Sequence, residues 1–259
     1  MKIYYSALTI SVILSVLSFP SKAQDIQLVT ENLAPYNYRD NDKLKGISAE
    51  IVLEILKHIP NKSASIKTYP FKRAMAMAKS KPNTLIFSII RTKEREEDFV
   101  WIGTLAPITA ALFRLAKRKD VHIKNLNDLK NFQISDIQGS AIWEYLKVHG
   151  IKTHEVPTTR QNIKLLKLGR IDLVGSAELN FYHEAREMGY PDTDFELAYV
   201  FQNLTKDLWL AMNVDSDREV IKQFKQSMKR VKNSDTYNKI LIKYHQTIYA
   251  PSQENKNLN

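Results

Sequence analysis

Residues 84–103 read TLIFSIIRTKEREEDFVWIG. The first seven, Thr84 to Ile90, are apolar on both alternating faces, which suits a strand in the middle of a parallel sheet better than one with a wet side. The chain then turns abruptly to Arg91, Arg95 and a run of carboxylates (Glu94, Glu96, Glu97, Asp98) before becoming apolar again at Phe99. Ligands of open α/β sheets sit at the carboxyl ends of the strands, so Ser88 and the two arginines lie where a small molecule would bind. A guanidinium there offers a planar fork that matches a carboxylate. Arg91 and Arg95 are four residues apart and would share a face if the segment is helical. The competing reading is that both arginines pair with the neighbouring acids.

Outward from this stretch the chain alternates. Towards the N-terminus, 24–30 reads as a strand, and 46–59 has apolar residues at helical spacing, closed by Pro60 and Asn61. A short strand at 63–70 and a helix at 71–79 then lead into the strand at 84–90. Strand, helix, strand, helix, strand is the pattern of an α/β lobe with right-handed crossovers. Beyond Pro107 a second series begins. It comprises a long strand near 108–117, a helix and strand over 125–137, a helix at 140–150, a strand at 153–157, a helix at 160–169, a strand at 170–177 and a helix at 178–189. Residues 198–213 return as extended chain, and two helices, 217–231 and 234–244, finish the fold. The expectation is an α/β protein of two lobes, each a mostly parallel sheet flanked by helices. Lobe 1 is discontinuous (24–112 plus 199–250), lobe 2 covers 113–198, and the two are joined by two extended crossings. A hinge made of strands needs no flexible tether, which suits the absence of a Gly-, Pro- or Ser-rich linker. The polar end, 251–259, is expected to be disordered.

The N-terminus bears on the compartment. Lys2 precedes an almost unbroken apolar run from Ile3 to Phe19, and Ser21 and Ala23 supply small residues before Gln24, as in a cleavable signal peptide over 1–23. The run is also near the length of a membrane anchor. With no cysteine in the chain, neither a lipid-anchoring cysteine nor a disulfide is available, so export to a periplasm as a non-lipidated protein is expected. The formal charge of +10 would suggest nucleic acid in another setting. Here the lysines are interspersed with acids and no aromatic-interleaved basic motif occurs, so no nucleic-acid partner is expected.

Other candidate contacts also lie at strand-to-helix junctions. Gly139, Ser140 and Ala141 open a helix whose free N–H groups and dipole attract anions, although a plain serine cap explains Ser140 equally well. Glu31, Tyr36 and Tyr38 follow the first strand, where aromatics and a carboxylate can cover a small polar ligand. Tyr69, Phe71 and Arg73 occupy another junction. Searches for catalytic chemistry find little: His183 lacks the second histidine of a zinc helix, and there is no nucleophile elbow or glycine-rich phosphate loop. No cofactor or metal is expected.

In this order, the segments "LVTENLAPYNY", "KLKGISAEIVLEIL", "RTKEREEDFVWIG", "DIQGSA" and "LKLGRIDLV" carry a resemblance. The chain resembles the bacterial family 3 extracellular solute-binding proteins, the polar-amino-acid-binding group with the type II periplasmic binding fold. The resemblance covers nearly all of the chain after the signal region. It implies a monomeric binding protein without enzyme activity, which captures a small carboxylate-bearing solute in an interlobe cleft and closes on it. An ABC-type permease, or less often a sensor kinase, would then read the closed form. It places the carboxylate-binding arginine at Arg95 and a donor at Ser88, and it sets the opposing turn at Ser140 and Ala141. Where the family usually carries an acid for the ligand's ammonium, this chain has Ala177. Glu178 lies one residue too far along, and the aromatic slot holds Leu33. The fold also resembles that of periplasmic cyclohexadienyl dehydratases, which makes acid catalysis by Glu31 or Glu178 an alternative. A ligandless interaction module is a further one.

Overall fold

The computed structural model describes residues 26–59 and 64–249. The expected signal peptide, the Pro60–Asn61 helix end and the polar C-terminal segment lie outside the described residues.

Two five-stranded sheets build the molecule. In the first, β1 (Ile26–Thr30) pairs in parallel with β4 (Ala64–Thr68) on one side and β5 (Thr84–Ile90) on the other. The helices α1 (Ile47–Leu56) and α2 (Phe71–Ser80) make the crossovers. β5 is buried at every residue, as its two-sided apolar sequence requires. The apolar segment after the carboxylates is β6 (Phe99–Pro107). It forms the sheet edge beyond β12 (Asp207–Asn213), which returns antiparallel between β5 and β6. The expected loop after β1 contains a small hairpin, β2 (Tyr38–Asp40) and β3 (Lys43–Lys45). Asn41 and Asp42 make its two-residue turn with positive φ, the backbone that asparagine and aspartate tolerate best.

The second sheet runs β11 (Phe195–Val200), β7 (Ala110–Leu115), β10 (Leu173–Ala177), β8 (Ile134–Ile137) and β9 (Thr153–Val156). α3 (Ala141–Val148), α4 (Thr159–Lys167) and α5 (Glu178–Glu187) flank it. The segment before β8, expected as a helix, is a 3-10 turn over Leu126–Asn131. β7 and β11 pair with each other, so 110–112 and 199–200 belong to this sheet, a few residues outside the boundaries expected for lobe 2. Two closing helices, α6 (Arg218–Lys232) and α7 (Asp235–Tyr249), return to the first lobe, and α6 buries Val220, Phe224, Met228 and Val231 along one stripe.

Each sheet has one strand at which the order reverses. β1 lies between β4 and β5, and β8 lies between β9 and β10. A crevice opens at the carboxyl end of such a strand, because the two connections leave in opposite directions. Loops from the two crevices share one cavity here. The crossings between lobes, 107–110 and 200–207, run side by side. Phe201 N donates to Ala110 O (2.9 Å) and Ile108 N to Lys206 O (3.3 Å).

Gly46 sets how α1 starts. Its φ is 115°, and a Cβ there would lie 2.4 Å from Tyr36 O. Gly46→Ala is therefore expected to lower unfolding free energy by about 2 kcal/mol or more through backbone strain and overlap. A urea-unfolding midpoint would measure it, and an unchanged midpoint would contradict this account of the helix start.

Candidate functional site

The first-lobe half of the site is held by a short polar network. Thr30 Oγ1 donates to Phe87 O (3.1 Å), and Asn37 Nδ2 donates both to Thr30 Oγ1 (3.0 Å) and to Glu31 O (2.6 Å). These bonds fix the loop after β1 and bring Glu31 to the cavity. On the next strand, Ser88 is the extra residue of a β-bulge: Trp209 faces Ile89 and Leu210 faces Phe87, leaving Ser88 without a partner in the register. Its φ of 64° lies in the left-handed region, unusual for serine. It lines the cavity, is 3 % exposed, and its hydroxyl has no hydrogen-bond partner among the described residues.

Arg95 sits in a 3-10 turn, Lys93–Arg95, and is 1 % exposed. Its guanidinium spans the lobes. On the first-lobe side Nη1 donates to Ile90 O (2.9 Å). From the second lobe, Glu144 Oε2 accepts from Nε (3.0 Å) and lies 2.9 Å from Nη2, and Gly139 O accepts from Nη2 (3.0 Å). The Phe71 ring lies 5.6 Å from the guanidinium carbon. Burial lowers the pKa of Arg95, and Glu144 opposes that effect.

The second-lobe half centres on Asp136 of β8, 2 % exposed. Its carboxylate accepts from Ile137 N (2.7 Å) and Ser140 Oγ (2.6 Å), while Ser140 Oγ caps α3 by accepting from Trp143 N (3.0 Å). Gly175 on the adjacent strand makes room for it, since a Cβ at 175 would lie 2.8 Å from Asp136 Cγ. Burial pushes Asp136 up to about 7, against Ser140 and the Ile137 N–H. Burial, reinforced by the charge of Asp136 and opposed by Arg95, pushes Glu31 up to about 8.

The interlobe cavity measures about 80 Å3 and draws its lining from both lobes. Glu31, Phe71, Ile137 and Thr159 also line an adjoining cleft of about 380 Å3, so Glu31 stands where the two spaces meet. Further interlobe bonds run from Asn180 Nδ2 to Ala34 O (2.8 Å) and from Lys72 Nζ to Gln138 Oε1 (2.8 Å).

Of the residues singled out from sequence, Glu31, Phe71, Ser88, Arg95, Ser140 and Ala141 meet in the cavity, together with Leu33 and Ala177. Others lie elsewhere. Arg91 does not share a face with Arg95, because the chain is extended at 91–92 rather than helical. Arg91 pairs with Glu96 (2.6 and 2.8 Å) and lies 5.3 and 5.1 Å from the ring centres of Trp101 and Trp209. Arg73 is exposed and lies over Tyr69. Tyr36 is buried and donates to Pro107 O (3.1 Å), tying the loop to a crossing, while Tyr38 lies 6.1 Å from the His183 ring in the other lobe. Glu178 begins α5 outside the cavity lining, with its N–H bonded to Thr109 O (2.9 Å). Asp136, Glu144, Asn180 and Gly175 were not anticipated. The available signal was an aspartate inside the otherwise strand-like "ISDI" with a glycine at the matching height of β10.

This two-lobed type II periplasmic-binding fold and its interlobe cavity are those of a solute-binding protein. The chain belongs to the bacterial extracellular solute-binding proteins, family 3, whose family model matches residues 26–247. Membership defines a binding protein rather than an enzyme. The probable amino-acid-binding protein YxeM of Bacillus subtilis (strain 168) is 25 % identical over 203 residues, covering 72 % of this chain and 75 % of that protein. Among solved structures, a histidine kinase sensor domain similar to periplasmic binding proteins superposes with a TM-score of 0.75 at 17 % identity, covering 85 % of this chain and 96 % of that one. The arginine-, lysine-, histidine-binding protein ArtJ from Geobacillus stearothermophilus gives 0.72 at 18 % identity, with 88 % and 96 % covered.

The raised carboxyls set a direction for stability against pH. A carboxyl whose folded pKa lies above its unfolded value stabilises the fold fully below the unfolded pKa, and that stability is lost as pH rises through the folded pKa. For Asp136 and Glu31 the loss runs from about pH 4 to about pH 8, completed through about 7 and about 8. Glu144, raised by burial against the opposing charge of Arg95, acts in the same sense, and His183, depressed by burial, acts in the opposite sense as pH falls. Asp136→Asn is therefore expected to flatten the decline in melting temperature between pH 5 and 8.5. Parallel melting curves for the variant and the unaltered protein would refute the assignment.

Proposed function

We propose that the protein is exported to the periplasm, where it captures a small amino acid or related solute between its lobes. On this reading the lobes rotate about the paired crossings, and the closed form delivers the solute to an ABC-type membrane transporter. The observation that carries the reading is the interlobe cavity, in which the unpartnered Ser88 hydroxyl from one lobe and the α3 start from the other face a common space. The name of the Bacillus relative supports the amino-acid class. The sensor-domain likeness supports a second reader of the closed form, a membrane sensor in place of a transporter.

Arg95 serves closure on this reading. It keeps its first-lobe bond to Ile90 O in every state and gains Glu144 and Gly139 only when the lobes meet. A solute carboxylate reaching Arg95, as the family resemblance implies, has to displace Glu144 from it.

The test is thermal unfolding of the purified protein with amino acids, dicarboxylates, other small organic acids and amines, with small-angle scattering on any responder. A solute at a hundredfold excess over its Kd is expected to stabilise the fold by about 2.7 kcal/mol and to contract the radius of gyration. Arg95→Ala removes one partner of the largely buried pair with Glu144, which is 21 % exposed, and is expected to cost roughly 2–4 kcal/mol. It should also enlarge the radius of gyration without ligand. No response to any class of compound would sink the solute-binding reading. An unchanged radius in Arg95→Ala would sink the closure role.

A further inference from the structure

The charges lining the cavity are not those of a carboxylate site. Two devices suited to a ligand carboxylate are present, and the protein's own acids occupy both. The Arg95 guanidinium is bonded to Glu144, Gly139 O and Ile90 O. The start of α3 has Asp136 bonded to Ser140 Oγ and Ile137 N. In this closed arrangement an incoming anion would have to displace either the partly exposed Glu144 from Arg95 or the buried Asp136 from the α3 start, and Asp136 would remain within a poorly solvated site.

What remains without a counter-charge is negative. Among the described residues, the charged side chains lining the cavity are Glu31, Asp136 and Arg95, and Arg95 is offset by Glu144. Within the cavity the other elements around the acids contribute uncharged polar groups, Thr159 from α4, Ser176 from β10 and Asn180 from α5, while on the adjoining cleft that Glu31 also lines, Arg160 of α4 is paired with Glu184 of α5 (2.5 Å). The Asp136 carboxylate rests directly on Gly175, where any larger residue would overlap it, and it lines the cavity from there. The unpartnered, buried Ser88 hydroxyl adds an acceptor on the same cavity wall.

We infer that the site selects its solute by a positively charged amino group, received by Glu31 and Asp136 with the Ser88 hydroxyl, and that it does not require a carboxylate on the solute. Asp136 thus supplies, from the neighbouring strand, an acid in a site whose β10 position is Ala177. The solute class is a small primary amine, which includes amino acids with a side-chain amine and their decarboxylated counterparts. Glu31, at the junction with the larger cleft, lets the rest of the molecule extend outward. This rests on the solute-binding reading above and narrows it.

Burial, joined at Glu31 by the charge of Asp136, holds protons on both acids near neutrality, with a consequence for binding. A cation placed beside them favours their ionised forms, so its binding releases protons. Carboxylate binding at Arg95 has no such reason to discharge these acids.

The experiment is isothermal titration calorimetry of the purified protein at pH 7.5 with lysine, cadaverine, arginine, agmatine, hexanoate and glutarate. Each compound is run in two buffers of different protonation enthalpy. The expected result is that cadaverine or agmatine binds within tenfold of its parent amino acid and releases protons, while the two acids do not bind. Asp136→Asn and Glu31→Gln should each weaken amine binding at least tenfold while leaving a cooperative melting transition. If Asp136→Asn fails to fold, Glu31→Gln carries the comparison. Binding of lysine or arginine without binding of either amine would overturn the inference and leave the solute-binding reading intact. So would amine affinity unchanged in both variants. Binding of the acids alone would overturn it as well, and silence from every compound would count against both readings.

Discussion

The bond set around Arg95 is the constraint on which the arrangement of the two lobes depends. A guanidinium that is 1 % exposed must have its N–H groups satisfied, and its acceptors come from both lobes. Ile90 O belongs to the end of a first-lobe strand, whereas Gly139 O and Glu144 belong to the opposite crevice. Separating the lobes would expose this charge to water, and bringing them together provides its partners. The Coulomb attraction is strong in such surroundings, but so is the desolvation cost. The pair therefore contributes more to the choice of one relative placement of the lobes than to raw stability.

Around that link, the sheet topology does the positioning. The strand order reverses at β1 in one lobe and at β8 in the other, and the residues that meet in the cavity follow from those two strands. Glu31 comes immediately after β1, and Asp136 sits near the end of β8. Ser88 is turned by a bulge at the end of β5, beside β1. The loop carrying Glu31 is in turn fixed by Asn37 and Thr30, neither of which needs to touch a solute. Substitutions at these supports would act on the site through geometry alone.

Much of the fold was legible because it is written in hydrophobic period. The two-sided apolar run at 84–90 is the buried centre of the first sheet, and α1, α2 and α6 bury the stripes that their sequences display. The β2–β3 hairpin was hidden because its strands are three residues long and polar, and only the Asn41–Asp42 turn marks it. The site was partly legible. Of the residues singled out at strand-to-helix junctions, Glu31, Phe71, Ser140 and Ala141 line the cavity, whereas Arg73 and Glu178 do not, because the α/β rule fixes the junction and not the direction of each side chain. What escaped were contacts made between lobes or across strands: Glu144 on Arg95, Asn180 on Ala34 and Asp136 over Gly175. No local period encodes such pairs. Arg91 and Arg95 show the limit of spacing arguments, because four residues apart means one face only if the helix exists.

The two crossings deserve to be viewed together as a mechanical element. Phe201 and Ala110, and Ile108 and Lys206, are tied by backbone hydrogen bonds, and Thr205 Oγ1 adds one to Ala110 N (3.1 Å). Two chains cross-linked in this way resist shear and independent twist much as a laminated strip does, while remaining free to flex across their thickness. On the closure proposed above, such a strip would confine the lobes to something close to a single opening coordinate. Tyr36, whose hydroxyl reaches Pro107 O at one end of the strip, connects the loop that carries Glu31 to the same joint. Bending at the crossings and the orientation of the cavity's acid are thus geometrically coupled, with no side chain needed to relay the movement between them.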